Sequence, residues 1–223
     1  MAKPVRPEPK FFLVDEIYER GVPYYLDTWF RGSETRTAAG EKSTNYMESA
    51  AAAQRIHRHF PDVQLVFILR EPAQRAYSNW AWSRMNRMEA LGFEEALAEE
   101  DARERTMPAQ LRYARPHAYF SRGLYAAMLR PYFDLFPRGQ ILCLKFDDII
   151  LRAGDLASRL HAFLGVAPRP DDSLGLDVIN PSEAGDAMSD EVRHRLRRRY
   201  ADASRELVTL LGPEFEDWII DEP

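Results

Sequence analysis

The sequence predicts an α/β protein built on a parallel sheet, and three observations predict it. Leu65–Leu69 (LVFIL) is a continuous apolar run of the kind a strand shows when both its faces are covered. Gln140–Ile149 (QILCLKFDDI) has the same character and supplies a second strand. Helical patterns lie between and after the two, and helices alternating with buried strands define the class.

Taken in order, Glu41 and Lys42 stand ahead of Ser43, which reads as the cap of the helix that follows. The first strand ends at Arg70, and Pro72 then opens a helix to about Met88, proline being suited to a first turn. Further helices are predicted from Phe93 to about Arg105 and from Gly123 to about Phe136. The stretch GDLASRLHAFLG places Leu156, Leu160, Phe163 and Leu164 on one face and stops at Gly165, as a C-terminal glycine should. A last long helix runs from a Ser189 cap to Gly212-Pro213, with Val192, Leu196, Tyr200, Ala203 and Leu207 as its inward stripe. VAPRPDDSLG and INPSEAGDAM read as loops, the second as a mobile cover.

With 223 residues, 45% of them hydrophobic, the chain can bury one sizeable core, and a single domain over residues 1–223 is expected. Lys and Arg number 30 against 35 Asp and Glu, a net charge of −5, so no global basic field draws the chain to nucleic acid or an anionic membrane. Any anion binding must be local. The run RHRLRRRY lies on a solvated helix face rather than in a nucleic-acid patch. Cys143 is the sole cysteine, which rules out an intramolecular disulfide and a cysteine zinc site and fits a reducing, cytoplasmic setting. His57 and His59 are two apart and point different ways on a helix, so no metal is expected. The start, MAKPVRPEPKFFL, does not read as a signal sequence, and no apolar run approaches the ~18 residues of a membrane span.

The chemistry-bearing candidates gather at the end of the first strand. In open α/β sheets ligands bind beyond the carboxyl ends of the strands, and a phosphate favours the start of the next helix. Arg70 sits at that end. It reads either as a surface arginine paired with Glu71 or as an anion ligand. Arg75 and Ser78 are spaced i, i+3 and share a helix face, so a guanidinium fork and a hydroxyl stand together. Glu41 is either part of a capping cluster, favoured by the helix dipole, or a carboxylate facing the strand-end cleft.

These segments, GEKSTNY, FPDVQLVFILREPAQRAYSNW, FEEAL, YFSRGLYAAMLRPYFDLFPRGQILCLKFDDI and LHAFLGV, resemble in order the signature of the sulfotransferase superfamily. The likeness spans about Glu8 to Val166 and is nearest to the bacterial members and the heparan-sulfate N- and 3-O-sulfotransferase branch. It implies a sheet like that of the P-loop nucleoside kinases and 3′-phosphoadenosine 5′-phosphosulfate as sulfuryl donor. It implies further that Arg70 and Ser78, with Arg75 beside them, bind the donor's 3′-phosphate, and that Glu41 is the general base for a hydroxyl or amine acceptor. Tyr125 falls in a stretch that lies near the nucleotide in relatives, although a tyrosine on an amphipathic helix also suits a core. Lys10, in PEPKFF, stands where an acceptor is met. Lys42, next to the base, reads equally as a substrate contact or as a solvated charge.

One family element has no counterpart in the sequence: a strand, a loop resembling KxGTTSL and a helix, which hold the 5′-phosphosulfate. No Gly-x-x-x-x-Gly-Lys-Ser/Thr occurs either. The resemblance places that strand between Leu65–Leu69 and Leu142–Lys145. The two stretches are therefore expected either to flank an open slot or to pair directly. The expectation is a start recorded too late or a remnant. The alternative to the enzyme is accordingly a non-catalytic protein of the same fold, one that at most binds the 3′-phosphonucleotide or serves as an interaction module.

Overall fold

A computed structural model describes residues 8–108, 111, 113–168 and 187–220. Two short helices, α1 (Asp15–Tyr18) and α2 (Gly21–Trp29), follow the Phe11-Phe12 turn. The 3₁₀ turn Thr44–Glu48 leads into α3 (Ala50–His59), then β1 (Leu65–Leu69), α4 (Pro72–Met85) and α5 (Phe93–Arg105). After them come α6 (Tyr125–Leu135), β2 (Ile141–Lys145), α7 (Asp148–Leu151) and α8 (Ala153–Leu164). The described chain closes with α9 (Asp190–Arg199), α10 (Ala201–Leu211) and the 3₁₀ turn Pro213–Trp218. Among the described residues no helix is long and apolar enough to cross a membrane.

The strands are parallel and hydrogen-bond to each other directly, in register from Leu65 opposite Ile141 to Leu69 opposite Lys145. Of the two arrangements expected, the structure adopts direct pairing. One expectation fails. β1 is not covered on both faces: Leu65, Phe67 and Leu69 pack into the core, whereas Val66 and Ile68 are 37% and 49% exposed. The reason is that successive strand side chains alternate, and the two core clusters that include β1 residues take in Leu65, Phe67 and Leu69 and neither Val66 nor Ile68.

That side has two apolar centres. Phe11, Phe12, Tyr25, Ala52, Ala53, Ile56, Tyr132, Phe136 and Ile141 form one, joining the amino-terminal turn to α3, α6 and β2. Leu69, Tyr125, Ala126, Leu129, Leu207, Phe215 and Trp218 form the other, which docks α6 and α10 beneath the carboxyl end of β1.

Local sequence explains most boundaries. Glu71 is the N-cap of α4, accepting from the Ala73 and Gln74 amides at 3.2 and 2.8 Å, with Pro72 in the first turn. The helix ends at Met85, three residues short of the expected Met88, because Arg87 takes a left-handed φ of 58° and the chain turns toward the buried Glu89. Gly165 ends α8 in the left-handed conformation, as predicted.

Two expectations need correction. Ser43 caps no helix; Ser49 caps α3, accepting from the Ala52 amide, while Ser43 is used at Glu41. The long helix from Ser189 to Gly212 is two helices joined at Tyr200, whose ring stacks on Phe120 at 4.3 Å and whose hydroxyl donates to the Phe120 carbonyl at 2.7 Å. The inward stripe itself holds, with Leu196, Tyr200 and Leu207 buried. The loop VAPRPDDSLG lies mostly, and INPSEAGDAM largely, outside the described residues.

Candidate functional site

Arg70 leaves β1 just where the strand runs out. Its bland alternative, a pair with Glu71, does not form, because the Glu71 carboxylate is committed to capping α4 and otherwise faces Arg197 at 3.7 Å. The Arg70 guanidinium lies over the Phe146 ring at 5.2 Å and makes no hydrogen bond or ion pair among the described residues, and its Nε is buried without an acceptor. A buried, unsatisfied donor costs ~1–3 kcal/mol, so a ligand that accepts from it gains correspondingly. The backbone beneath is fixed by Tyr125, whose buried hydroxyl donates to the Arg70 carbonyl at 2.8 Å. Tyr125 thus bears on the site through Arg70.

On α4, Ser78 is half-buried and its hydroxyl has no hydrogen-bond partner among the described residues. Arg75, which sequence spacing groups with it, is partly committed: its guanidinium donates to the Tyr119 carbonyl, bracing α4 against the segment 119–123, while its Nε is buried without an acceptor. Of the three side chains, Arg70 and Ser78 make no hydrogen bond among the described residues, and Arg75 keeps one buried donor free. A cavity of about 170 Å³ lies nearby, lined by Glu71, Gln74, Asp147, Arg193, Arg197 and Asp217, besides Trp218. Its carboxylates outnumber its guanidiniums, and neither Arg70 nor Ser78 reaches it, so it is not the anion site.

Glu41 anchors a second cluster. The Phe11-Phe12 pair forms its apolar floor, with Phe11 stacked on Tyr25 at 4.6 Å and Phe12 edge-on to Tyr46 at 5.7 Å. Above it, Tyr25 donates to Glu41 Oε1 at 3.4 Å and Ser43 donates to Oε2 at 3.1 Å, while the Tyr46 hydroxyl accepts from the Phe12 amide at 3.3 Å. Burial raises the Glu41 pKa above the ordinary carboxylate value, opposed by the Tyr46, Ser43 and Tyr25 hydroxyls. A carboxylate whose pKa is raised is a stronger base, once ionised, than a solvated one.

Of the two lysines, Lys42 reaches outward to Glu8 at 2.6 Å in an exposed ion pair that Thr44 also joins. Lys10 has a left-handed backbone, φ 50°, and its amide donates to Ser43 Oγ at 3.1 Å, while its Nζ stands 5.4 Å over the Tyr113 ring.

Both clusters hang on one helix. Tyr125 at the start of α6 holds Arg70, and Tyr132 seven residues later donates to the Tyr46 carbonyl. Two turns of helix are ~10 Å, so α6 fixes the spacing of the two supports. Sequence reasoning singles out Arg70, Ser78 and Glu41 and gives no sign of Tyr25, Tyr46 and Tyr132, which the structure packs around them. Nothing local signals Tyr25, which meets Glu41 only through tertiary packing.

The chemistry-bearing features of this α/β protein are thus an uncommitted arginine at a parallel strand's carboxyl end, a free hydroxyl on the next helix and a half-buried, hydroxyl-held carboxylate. The chain belongs to the sulfotransferase family, whose family model matches residues 6–171. It is similar to the heparan sulfate glucosamine 3-O-sulfotransferase 6 of Mus musculus, 29% identical over 168 residues, covering 71% of this chain and 43% of that one. It is also similar to the bifunctional heparan sulfate N-deacetylase/N-sulfotransferase 3 of Homo sapiens, 26% identical over 170 residues, covering 73% of this chain and 19% of the other. Among solved structures, a sulfotransferase from Alicyclobacillus acidocaldarius superposes with a TM-score of 0.75 at 25% identity, covering 96% of this chain and 86% of that one. The chain thus spans less than half the length of these curated relatives, and its fold is the P-loop-like sulfotransferase fold.

Proposed function

We propose that this chain is a sulfotransferase that moves a sulfuryl group from 3′-phosphoadenosine 5′-phosphosulfate to a hydroxyl or amine of a glycan or small-molecule acceptor. The observation that carries the reading is Arg70, a strand-end guanidinium with a buried donor and no protein acceptor. Arg70 and Ser78 fit a 3′-phosphate, which offers several acceptor oxygens to charge-assisted bonds. Glu41 takes the acceptor's proton as the new bond to sulfur forms and the bond from sulfur to the departing adenosine 3′,5′-bisphosphate breaks. Tyr125 keeps Arg70 in place, and Arg75 keeps α4 in place. The names of the similar proteins, which specify heparan sulfate glucosamine, support a glycan acceptor.

The test is a sulfuryl-transfer assay over a broad acceptor panel, run on this chain and on one extended upstream, together with calorimetric titration of adenosine 3′,5′-bisphosphate. Donor-dependent turnover from either chain supports the reading. Binding of the bisphosphate without turnover from either would make the protein a nucleotide-binding module of the same fold. Absence of both would remove the site.

A further inference from the structure

The cavity of about 170 Å³ that Arg70 and Ser78 do not reach lies at the same end of the sheet. Glu71, just past β1, and Asp147, just past β2, enter it from the strand ends, and the buried Trp218 supplies an apolar wall. Arg193 and Arg197, one turn apart on α9, face it together with Gln74 from the first turn of α4. Most of these charges are already used. Glu71 caps α4, and Asp217, which also borders the cavity, holds Lys145 at 2.5 Å. Arg193 donates through Nη1 to Asp190 at 3.0 Å, and Arg197 through Nη2 to the Asp217 carbonyl at 2.5 Å. What is left over has both signs. The Nε donors of Arg193 and Arg197 are buried with no acceptor, Glu71 standing 3.7 Å from the second of them, beyond hydrogen-bond length. The half-buried Asp147 carboxylate makes no hydrogen bond or ion pair among the described residues and does not cap α7, and the Gln74 side-chain amide has no partner among them either.

We propose that this cavity binds a small zwitterion, a molecule of amino-acid size with an ammonium group and a carboxylate or sulfonate a few bonds apart. Its anionic end accepts from the two orphaned Nε–H groups and the Gln74 amide, and its ammonium pairs with Asp147. A ligand of one sign meets only half of this set. An anion alone stands among the carboxylates of Glu71, Asp147 and Asp217, whereas a cation alone leaves both guanidinium donors buried and unsatisfied. Size excludes larger occupants: about 170 Å³ is below the ~300–1,000 Å³ of sites that enclose drug-sized ligands, so the occupant is smaller than a nucleotide. The cavity draws on none of Arg70, Ser78 and Glu41, so it stands apart from the sulfuryl-transfer reading.

The experiment titrates glycine, β-alanine and taurine into nitrogen-15-labelled protein and follows the arginine Nε–H resonances by NMR, assigned by their loss in Arg193→Gln and Arg197→Gln. Ethylamine and propionate are the single-charge controls. At least one zwitterion should saturate and move both Nε–H resonances, with each control binding about tenfold or more weakly. Asp147→Asn keeps the shape and removes the charge, so it should weaken that zwitterion by about tenfold, while Arg70→Ala should leave its binding unchanged. Absence of a saturable shift with all three zwitterions at millimolar concentration would overturn the proposal. So would equal binding of either control, or undiminished binding by Asp147→Asn. Loss of binding in Arg70→Ala would merge the cavity with the strand-end site and count against it equally. Should Arg197→Gln not fold, Arg193→Gln still assigns one resonance, and that resonance failing to move in the unaltered protein has the same force.

Discussion

The hydroxyl of Tyr125 donates a 2.8 Å hydrogen bond to the backbone carbonyl of Arg70, tying the first residue of α6 to the last turn of chain before α4. Arg70 is thereby held from behind while its guanidinium stays uncommitted. The expected consequence is that the two residues act differently when changed. Arg70→Ala should weaken adenosine 3′,5′-bisphosphate binding by about tenfold or more, since a bond to a charged group contributes ~1.5–3 kcal/mol. Ser78→Ala should weaken it by less, and Tyr125→Phe, which leaves every proposed ligand in place, least of all. Calorimetry at constant salt checks the order, and equal affinities for wild type and Arg70→Ala would exclude the site.

Glu41→Gln removes the proposed base and keeps its shape, so turnover should fall by roughly 10²-fold or more while donor affinity barely moves. The same substitution has a stability signature. Burial raises the folded pKa of Glu41 above 4.5, so the charged form is disfavoured in the native state. Its contribution is full below pH 4.5 and is lost as pH rises through the folded value. Wild type should therefore lose stability relative to Glu41→Gln between acid and neutral pH, which thermal melts at several pH values will show.

Glu89 behaves in the opposite sense. Its burial alone would raise the pKa, but Arg103 at 2.7 Å, the Leu91 amide and the Tyr119 hydroxyl together hold it at about 2. A depressed folded pKa adds stability above pH 4.5 that is lost as pH falls toward 2. Denaturant melts from pH 6 to pH 2 should show that loss, and Glu89→Gln should flatten it. Arg103→Ala leaves the carboxylate buried and short of a partner, at a cost of about 3 kcal/mol.

Gly123 is required by its neighbour. A Cβ there would stand 2.7 Å from the Tyr200 ring, closer than packed atoms approach. Gly123→Ala should destabilise the protein by ~1–3 kcal/mol, and Tyr200→Leu in the same protein should recover part of it. Full additivity of the two changes would show that the contact is unimportant.

The sequence made the strands legible because each is a short apolar run with a turn signal, and it made α4, α5 and α8 legible through Pro72, the Phe93 period and Gly165. It did not foretell the exposed Val66 and Ile68, because a continuous apolar run does not say which neighbours will cover it. Arg70 and Ser78 were readable as a local pattern. Arg75 shared that pattern, and only the Tyr119 carbonyl, far along the chain, decides its use. Ser43 looked like a cap by composition, but a hydroxyl within reach of Glu41 and the Lys10 amide finds better partners there.

Pairing Leu65–Leu69 with Ile141–Lys145 joins segments that have α4, α5 and α6 between them. Such a sheet has no hairpin to nucleate it, and the closure entropy of the intervening chain must be spent before the first ladder bond is gained. α3 and α6, and α6 and α10, are separated by similar lengths of chain, so the sheet is expected to form together with their docking rather than from a local nucleus. Its amides should gain protection from hydrogen exchange in step with those of α6, so the strand end that carries Arg70 should take shape only as the whole α6 core closes.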